Sequence, residues 1–339
     1  MNKFLDLLKI RNFFSKNKYR LRLISRTFYI IHKYFSKFYF YFFPSFEKQI
    51  YNNLILIKPI PKKVLNKFYK EKTDKIVFRN YLNHQFDLLG SGWCNCNKKN
   101  ITQNKFEKLG FYLLKKNQNN IRSFYLNNLN FSNKSICFEV SNNIPISYKH
   151  IDWHRDIKSG FKWSEKQWYR GINYGKKIGP DIKYPWELAR LQHLPQLAIY
   201  LNNLDKRSAK AKNIENEIHY QILDFIVFNP PLYGVNWSCS MEVAIRAVNI
   251  LMTISLMPSK ESSIWLKHKN IIINSLYDHV KFILNNLEWS ENRGNHYLTN
   301  ICGILCLSTF LPETYETDLW LSFSIAEINR EILYQFNFD

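Results

Sequence analysis

Apolar positions fall into two regimes along this chain. From residue 181 onward they recur at three- and four-residue steps, the period of helices with one buried face. Six helices are predicted there, over 185–201, 214–228, 240–257, 262–287, 295–311 and 313–336. Pro185 stands just inside the first, where a missing N–H costs nothing. Pro195 should kink or interrupt that helix. Asn229-Pro230-Pro231 stops the second helix and Pro258 the third. Short connections imply antiparallel neighbours. Such hairpins must bury apolar faces on both sides. A superhelical solenoid and a ring of hairpins, the α/α toroid, both do so, and periodicity does not separate them.

Upstream the pattern is different. Residues 51–180 carry short apolar runs among Asn, Lys, Gly and Ser. FDLLGSGW (86–93) reads as a turn, since Gly90 and Gly92 permit backbone conformations other residues avoid. SICFEV (135–140) reads as a short strand. The first 50 residues form a third region, basic and aromatic. Its stretch TFYIIHKYFSKFYFYFF (27–43) is interrupted by His32, Lys33 and Lys37. A span needs about 20 apolar residues, which this stretch does not supply. No small-residue cleavage site follows it. Two readings stand: a helix packing its aromatic face on the main body, or one in peripheral contact with an anionic membrane surface. The expected organisation is therefore 1–50 basic and helical, 51–180 loop-rich with a few short strands, and 181–339 helical hairpins.

Composition narrows the partners. Hydrophobic residues make up 46% of the 339, which excludes global disorder. The formal net charge is +21, which attracts polyanions. Lys, Asn and Ile are spread along the whole chain, so compositional bias explains the charge equally well. No helix shows a stripe of Lys and Arg interleaved with aromatics, so nucleic acid is not an expected partner. The six cysteines include no C-x-x-C pair, and Cys94-x-Cys96 lacks a second pair at zinc-ribbon spacing. No metal and no cofactor are expected.

Five segments then occur in order: FDLLGSGW (86–93), DWHRDIKSGFKW (152–163), DIKYPWELARLQHLPQLA (181–198), NPPLYGVNWSCSMEVAIRAVN (229–249) and NRGNHYLTN (292–300). Together they resemble the N-terminal region of the heparinase II/III-like polysaccharide lyases. The resemblance implies a mainly α fold, an incomplete α/α toroid of antiparallel hairpins behind a mixed, loop-rich segment. It implies β-elimination on an acidic polysaccharide: a base removes the C5 proton of a uronate, and the bond from C4 to the glycosidic oxygen breaks. Such chemistry needs the carboxylate neutralised or hydrogen-bonded as charge develops, a base, and an acid for the leaving oxygen.

By this resemblance Asn295 holds the uronate carboxylate and His296 assists it or acts on the proton. Taken alone, Asn295 at a helix start would read as a cap. Gly294 allows a tight approach, and helix N-termini favour anions. Asn236 and Trp237 offer a polar contact and a sugar-stacking face, or else anchor a loop. Glu242 and Arg246 lie four apart and either pair on one helical face or present Arg246 to an acidic sugar. Glu187, Arg190 and His193 recur at three-residue steps, as a cleft wall or as a buried polar network. His193 draws interest because imidazoles titrate near neutrality. Asp152, His154, Arg155 and Asp156 read as a structural junction rather than a metal site.

The sequence departs from the family pattern at QFNFD (335–339), where a glycine-rich stretch and a catalytic tyrosine would follow. The expectation is a truncated chain with weak or no lyase activity alone, its β-sandwich domain lost or on a separate chain. A non-catalytic carbohydrate-binding or scaffold remnant is the alternative. The resemblance places the protein in the periplasm or cell envelope, whereas the absence of a visible signal would fit the cytoplasm.

Overall fold

The computed structural model describes residues 35–46, 75–98, 126–173, 175, 178–257, 262–291 and 293–336. The chain divides into two compact units, Met1–Pro44 and Ser45–Asp339. In the first, residues 35–42 are helical, with Phe35, Phe38, Tyr41 and Phe42 exposed. The rest of the aromatic stretch, 27–34, lies outside the described residues. No helix among the described residues is long and apolar enough to cross a membrane.

The second unit opens with α1 (Lys75–Leu82) and a two-stranded antiparallel sheet, β1 (Gln85–Asp87) and β2 (Trp93–Asn95), with Phe86 opposite Cys94. The predicted glycine turn lies between the strands. Gly90 and Gly92 have φ of 77° and 72°, and Asp87 Oδ1 accepts the Gly92 amide at 2.9 Å. The segment read as a strand at 135–140 is instead helical, α2 (Lys134–Ser141). Burial decides this: Asn133, Cys137, Val140, Ser141 and Ile144 are the covered positions, a three- and four-residue step. The apolar run is short enough that alternation and helical periodicity look alike in sequence.

The long helices follow as α3 (Lys183–Ala189), α4 (His193–Asn202), α5 (Ala209–Phe228), α6 (Ser240–Leu256), α7 (Ser263–Asn285), α8 (Asn295–Phe310) and α9 (Tyr315–Gln335). The expected interruption of the first helix occurs one turn before Pro195. Leu191 turns to φ 56° and Pro195 falls in the first turn of α4. There its missing N–H breaks no intrahelical bond.

The helices sort into two layers. In one, α6 packs between α4 and α8; in the other, α5 packs on α7. Lys281 of α7 pairs with Glu316 of α9, and Tyr277 meets Trp320 edge-on at 5.9 Å. Consecutive helices therefore alternate between layers, as hairpins do. The layers also start differently. Ser208, Ser262 and Thr314 cap α5, α7 and α9 through side-chain oxygens. Helices α4, α6 and α8 begin at Gln192, Cys239 and Gly294 with no side-chain cap. Gly303 sets the approach of α8 to α6, since a Cβ there would lie 2.8 Å from Ala244 Cβ.

The DWHRD segment is a junction, as its sequence suggests. Asp224, fully buried on α5, accepts His150 Nδ1 at 2.6 Å, Ile151 N at 3.0 Å and Trp153 Nε1 at 2.9 Å. Asp156 accepts the amides of Lys158 and Asp181. Glu165, 2% exposed, receives Lys162 at 2.8 Å and Lys98 at 3.2 Å. Burial alone would raise the Glu165 carboxyl, but Lys98, His154 and Lys162 outweigh it and bring its pKa down to about 2. A depressed carboxylate contributes stability above its unfolded value, here near 4.5, and loses it as pH falls through its folded value. Acid unfolding is therefore expected to steepen between pH 4.5 and about 2. Glu165→Gln should remove that component of the acid limb while leaving the protein less stable at neutral pH. Equal acid limbs for the two proteins in circular-dichroism titrations would contradict the assignment.

Candidate functional site

The parallel starts of α4, α6 and α8 gather at one end of their layer, and most of the sequence-predicted residues are found there at different depths. Asn295 and His296 are the outermost. Asn295 is the first residue of α8, exposed, and its side chain makes no hydrogen bond among the described residues. It is not the cap, a position that Gly294 occupies. Gly294 is extended at φ −135°, ψ −167°, and a Cβ there would meet nothing within 4 Å. The glycine therefore relieves no crowding among the described residues.

The loop preceding α8 is braced by α9. Arg293 pairs with buried Glu331 at 2.6 Å, and its guanidinium lies 4.3 Å from the centre of the Tyr334 ring. Gln335 Nε2 donates to Gly294 O at 3.3 Å.

His296 faces two groups that sequence reasoning missed. Its Nδ1 is 3.1 Å from Glu288 Oε1 and 4.0 Å from Cys239 Sγ. Glu288 Oε2 accepts the Met241 amide at 2.8 Å, so this carboxylate supplies the cap that α6 lacks. Nothing in the linear pattern joins residues 239, 288 and 296, which come from three separate segments.

Glu187 and Arg190 form the adjoining wall. Arg190 grips Glu242 with two hydrogen bonds, of 2.7 and 2.8 Å, and Glu187 with one of 2.7 Å. This settles the pairing of Glu242, whose partner is Arg190 rather than Arg246. Fork-to-carboxylate geometry of this kind is directional as well as strong. The hydrogen bond to Glu242, reinforced by its charge, raises Arg190 further above its ordinary pKa.

Beneath this rim lies a layer closed to solvent. Arg246 is fully buried, its guanidinium 4.5 Å from the Phe225 ring centre and 5.2 Å from that of Trp237. It donates to His279 Nε2 at 2.9 Å and to Asn236 O at 3.1 Å. An arginine only donates, so His279 Nε2 accepts, and Nδ1 carries the proton donated to Ser275 O at 2.6 Å. Burial, with Arg246 adjacent, pushes the imidazole well below its ordinary pKa and keeps it neutral. Asn236 donates to Trp153 O and to Asn229 Oδ1, and Trp237 Nε1 donates to Asn229 O at 3.0 Å. Trp237 is 1% exposed, and its ring packs on His279 and Phe282, the loop-anchoring position.

His193 belongs to a separate network. Its Nε2 meets Gln221 Oε1 at 2.7 Å. Burial lowers its pKa to about 4, so it does not titrate near neutrality. Gln221 in turn donates to Glu217 at 2.9 Å, and Glu217 meets His84 Nε2 at 2.7 Å and the Tyr148 hydroxyl at 3.0 Å. These last groups line a cavity of about 750 Å³ together with Arg79, Asn83 and Asn97. Burial opposes charge on His84, but Glu217 prevails and raises its pKa.

Fold and site together define a protein of helical hairpins with a polar rim at the starts of α6 and α8. The family model described as Heparinase II/III N-terminus matches residues 62–339. The chain belongs to that family, which groups heparinase-type polysaccharide lyases. No curated protein and no solved structure matches the chain significantly.

Proposed function

We propose that this chain is the substrate-holding helical part of a polysaccharide lyase that acts by β-elimination on a uronic-acid polymer. Its hairpins form an arc of an incomplete α/α toroid. The observation that carries this reading is Asn295: exposed, unbonded among the described residues, and at the start of a helix with no side-chain cap. A uronate carboxylate there gains an amide donor and the positive end of the α8 dipole. Both favour the enolate-like charge that forms when the C5 proton leaves. His296 stands beside it with Glu288 at Nδ1, an arrangement that fixes the ring and supports proton transfer. Glu187 and Arg190 extend the contact along the polymer. Asn236, Trp237, Arg246 and Glu242 act from below by positioning the rim, while His193 serves the neighbouring network of Gln221 and Glu217.

The leaving oxygen needs an acid, a role for which the resemblance calls on a tyrosine. Residues 1–339 by themselves are expected to bind uronate oligomers and to turn them over weakly or not at all. A periplasmic or cell-envelope location goes with this reading, since such a polymer would be met there.

Asn295→Ala should weaken uronate-oligomer binding by at least about tenfold, as loss of a hydrogen bond to a charged group implies. Binding to DNA, measured in the same salt series, should not change. An unchanged oligomer affinity would remove Asn295 from the site. New ultraviolet absorbance from unsaturated sugars, on incubating the chain with heparan sulfate or alginate, reports turnover; rapid release would overturn the expectation of weak activity.

A further inference from the structure

Cys239 Sγ, Glu288 Oε1 and His296 Nδ1 close a triangle with sides of 3.6, 3.1 and 4.0 Å. A hydrogen-bonded relay needs two short sides only. Three short sides enclose a point about equally far from all three atoms, and the circle through atoms at these separations has a radius of about 2.1 Å. Zinc bonds run at about 2.3 Å to sulfur, about 2.0–2.1 Å to imidazole and about 2.0–2.2 Å to carboxylate. Tetrahedral edges built from those lengths are about 3.4–3.6 Å, so each side is within about half an ångström of fit. Among the described residues this is the one group of three His, Cys, Asp or Glu side chains placed to share an ion.

We propose that Cys239, Glu288 and His296 form a binding site for one divalent transition ion of the zinc type. Thiolate, imidazole and carboxylate together select zinc or cobalt over magnesium or calcium, which prefer all-oxygen shells. The supporting contacts are in place. Glu288 Oε2 is held by the Met241 amide at 2.8 Å and Asn300 Nδ2 at 3.4 Å, and the Glu288 amide donates to Asn300 Oδ1 at 2.8 Å. These fix the carboxylate with Oε1 turned to the other two ligands, as outer contacts do in metal sites. Cys239 is nearly covered, whereas the His296 side chain is 47% exposed and that of Glu288 29%. The fourth position therefore opens to solution, the arrangement of three protein ligands and an exchangeable one. An ion there sets a positive centre beside Asn295, on the side where an anionic sugar would approach. The site itself stands whether or not the chain acts on uronates.

The test uses the full chain, stripped by chelator dialysis and titrated with cobalt(II), without any glycan. One equivalent should bind, with a thiolate-to-cobalt charge-transfer band, and zinc should displace it while magnesium should not. Cys239→Ser should abolish the band. His296→Gln, at an exposed position that leaves folding intact, should weaken binding at least about tenfold. No binding at one equivalent overturns the proposal. So does a band that survives in Cys239→Ser, which would assign the ion to other thiols such as Cys94 and Cys96, or a His296→Gln protein with unchanged affinity. Because no sugar is present, failure here leaves the lyase reading untouched, and failure of uronate binding leaves this site standing.

Discussion

Gly234→Ala is expected to destabilise the protein by about 4 kcal/mol, and Gly234→Val to prevent folding. Two independent costs meet at this residue. Its backbone sits at φ 79°, ψ 170°, a region essentially reserved for glycine. Holding a side-chain-bearing residue there costs about 1–3 kcal/mol. A Cβ would also lie 2.4 Å from Cε1 of His154. His154 cannot give way cheaply, being fully buried with its Nε2 bonded to Phe228 O at 3.0 Å. Overpacking of this kind adds about 1–3 kcal/mol. The Gly234 amide also ties the loop to Gln167 O at 2.8 Å, so a shift would propagate into the 167–171 turn. Urea unfolding measures the effect as a lower midpoint at unchanged slope. A loss under about 1 kcal/mol would show that the loop relaxes freely, against the packing described.

Arg246→Ala carries the second large effect, about 3–5 kcal/mol. The substitution empties the space between the Phe225 and Trp237 rings and removes the donor that His279 Nε2 accepts from. Arg246→Met separates the contributions. Methionine keeps most of the volume and removes a buried cation whose hydrogen-bond partners are both neutral, His279 Nε2 and Asn236 O. Burying that cation is costly enough to lower its pKa to about 9. The methionine protein should therefore lose less than half as much stability as the alanine one. If both lose equally, the charged hydrogen bonds rather than the packing hold the 235–237 turn. Thermal melts of the two variants decide this, and near-ultraviolet circular dichroism of Trp237 reports the local change.

Both predictions concern the buried layer under the rim, and that layer shows where sequence reading stops. Trp237 and Arg246 have the chemistry of a sugar cleft, and nothing in their spacing reveals depth. Depth comes from α5 and α7 closing over α6, a consequence of contacts between residues dozens of positions apart. The four-residue spacing of Glu242 and Arg246 suggested a pair. The fold offered Glu242 a better partner in Arg190, brought alongside by the break at Leu191. A local rule was outweighed by a tertiary contact with two hydrogen bonds.

The sequence by itself determined the helices from 181 onward, their order and their hairpin connections. Three- and four-residue periodicity, prolines at starts and stops, and polar linkers are local signals that packing did not override. Five ordered segments were also enough to reach the family. The 135–140 segment failed because a six-residue apolar run satisfies both periods, and only burial against α5 chose the helix. Tertiary structure alone decided what surrounds His296. Cys239 arrives at the start of α6, Glu288 in the turn after α7 and His296 at the start of α8. Their meeting depends on the parallel alignment of α6 and α8, closed tight at Gly303. A linear chain records the residues but not the crossing that brings three of them within 4.0 Å of one another.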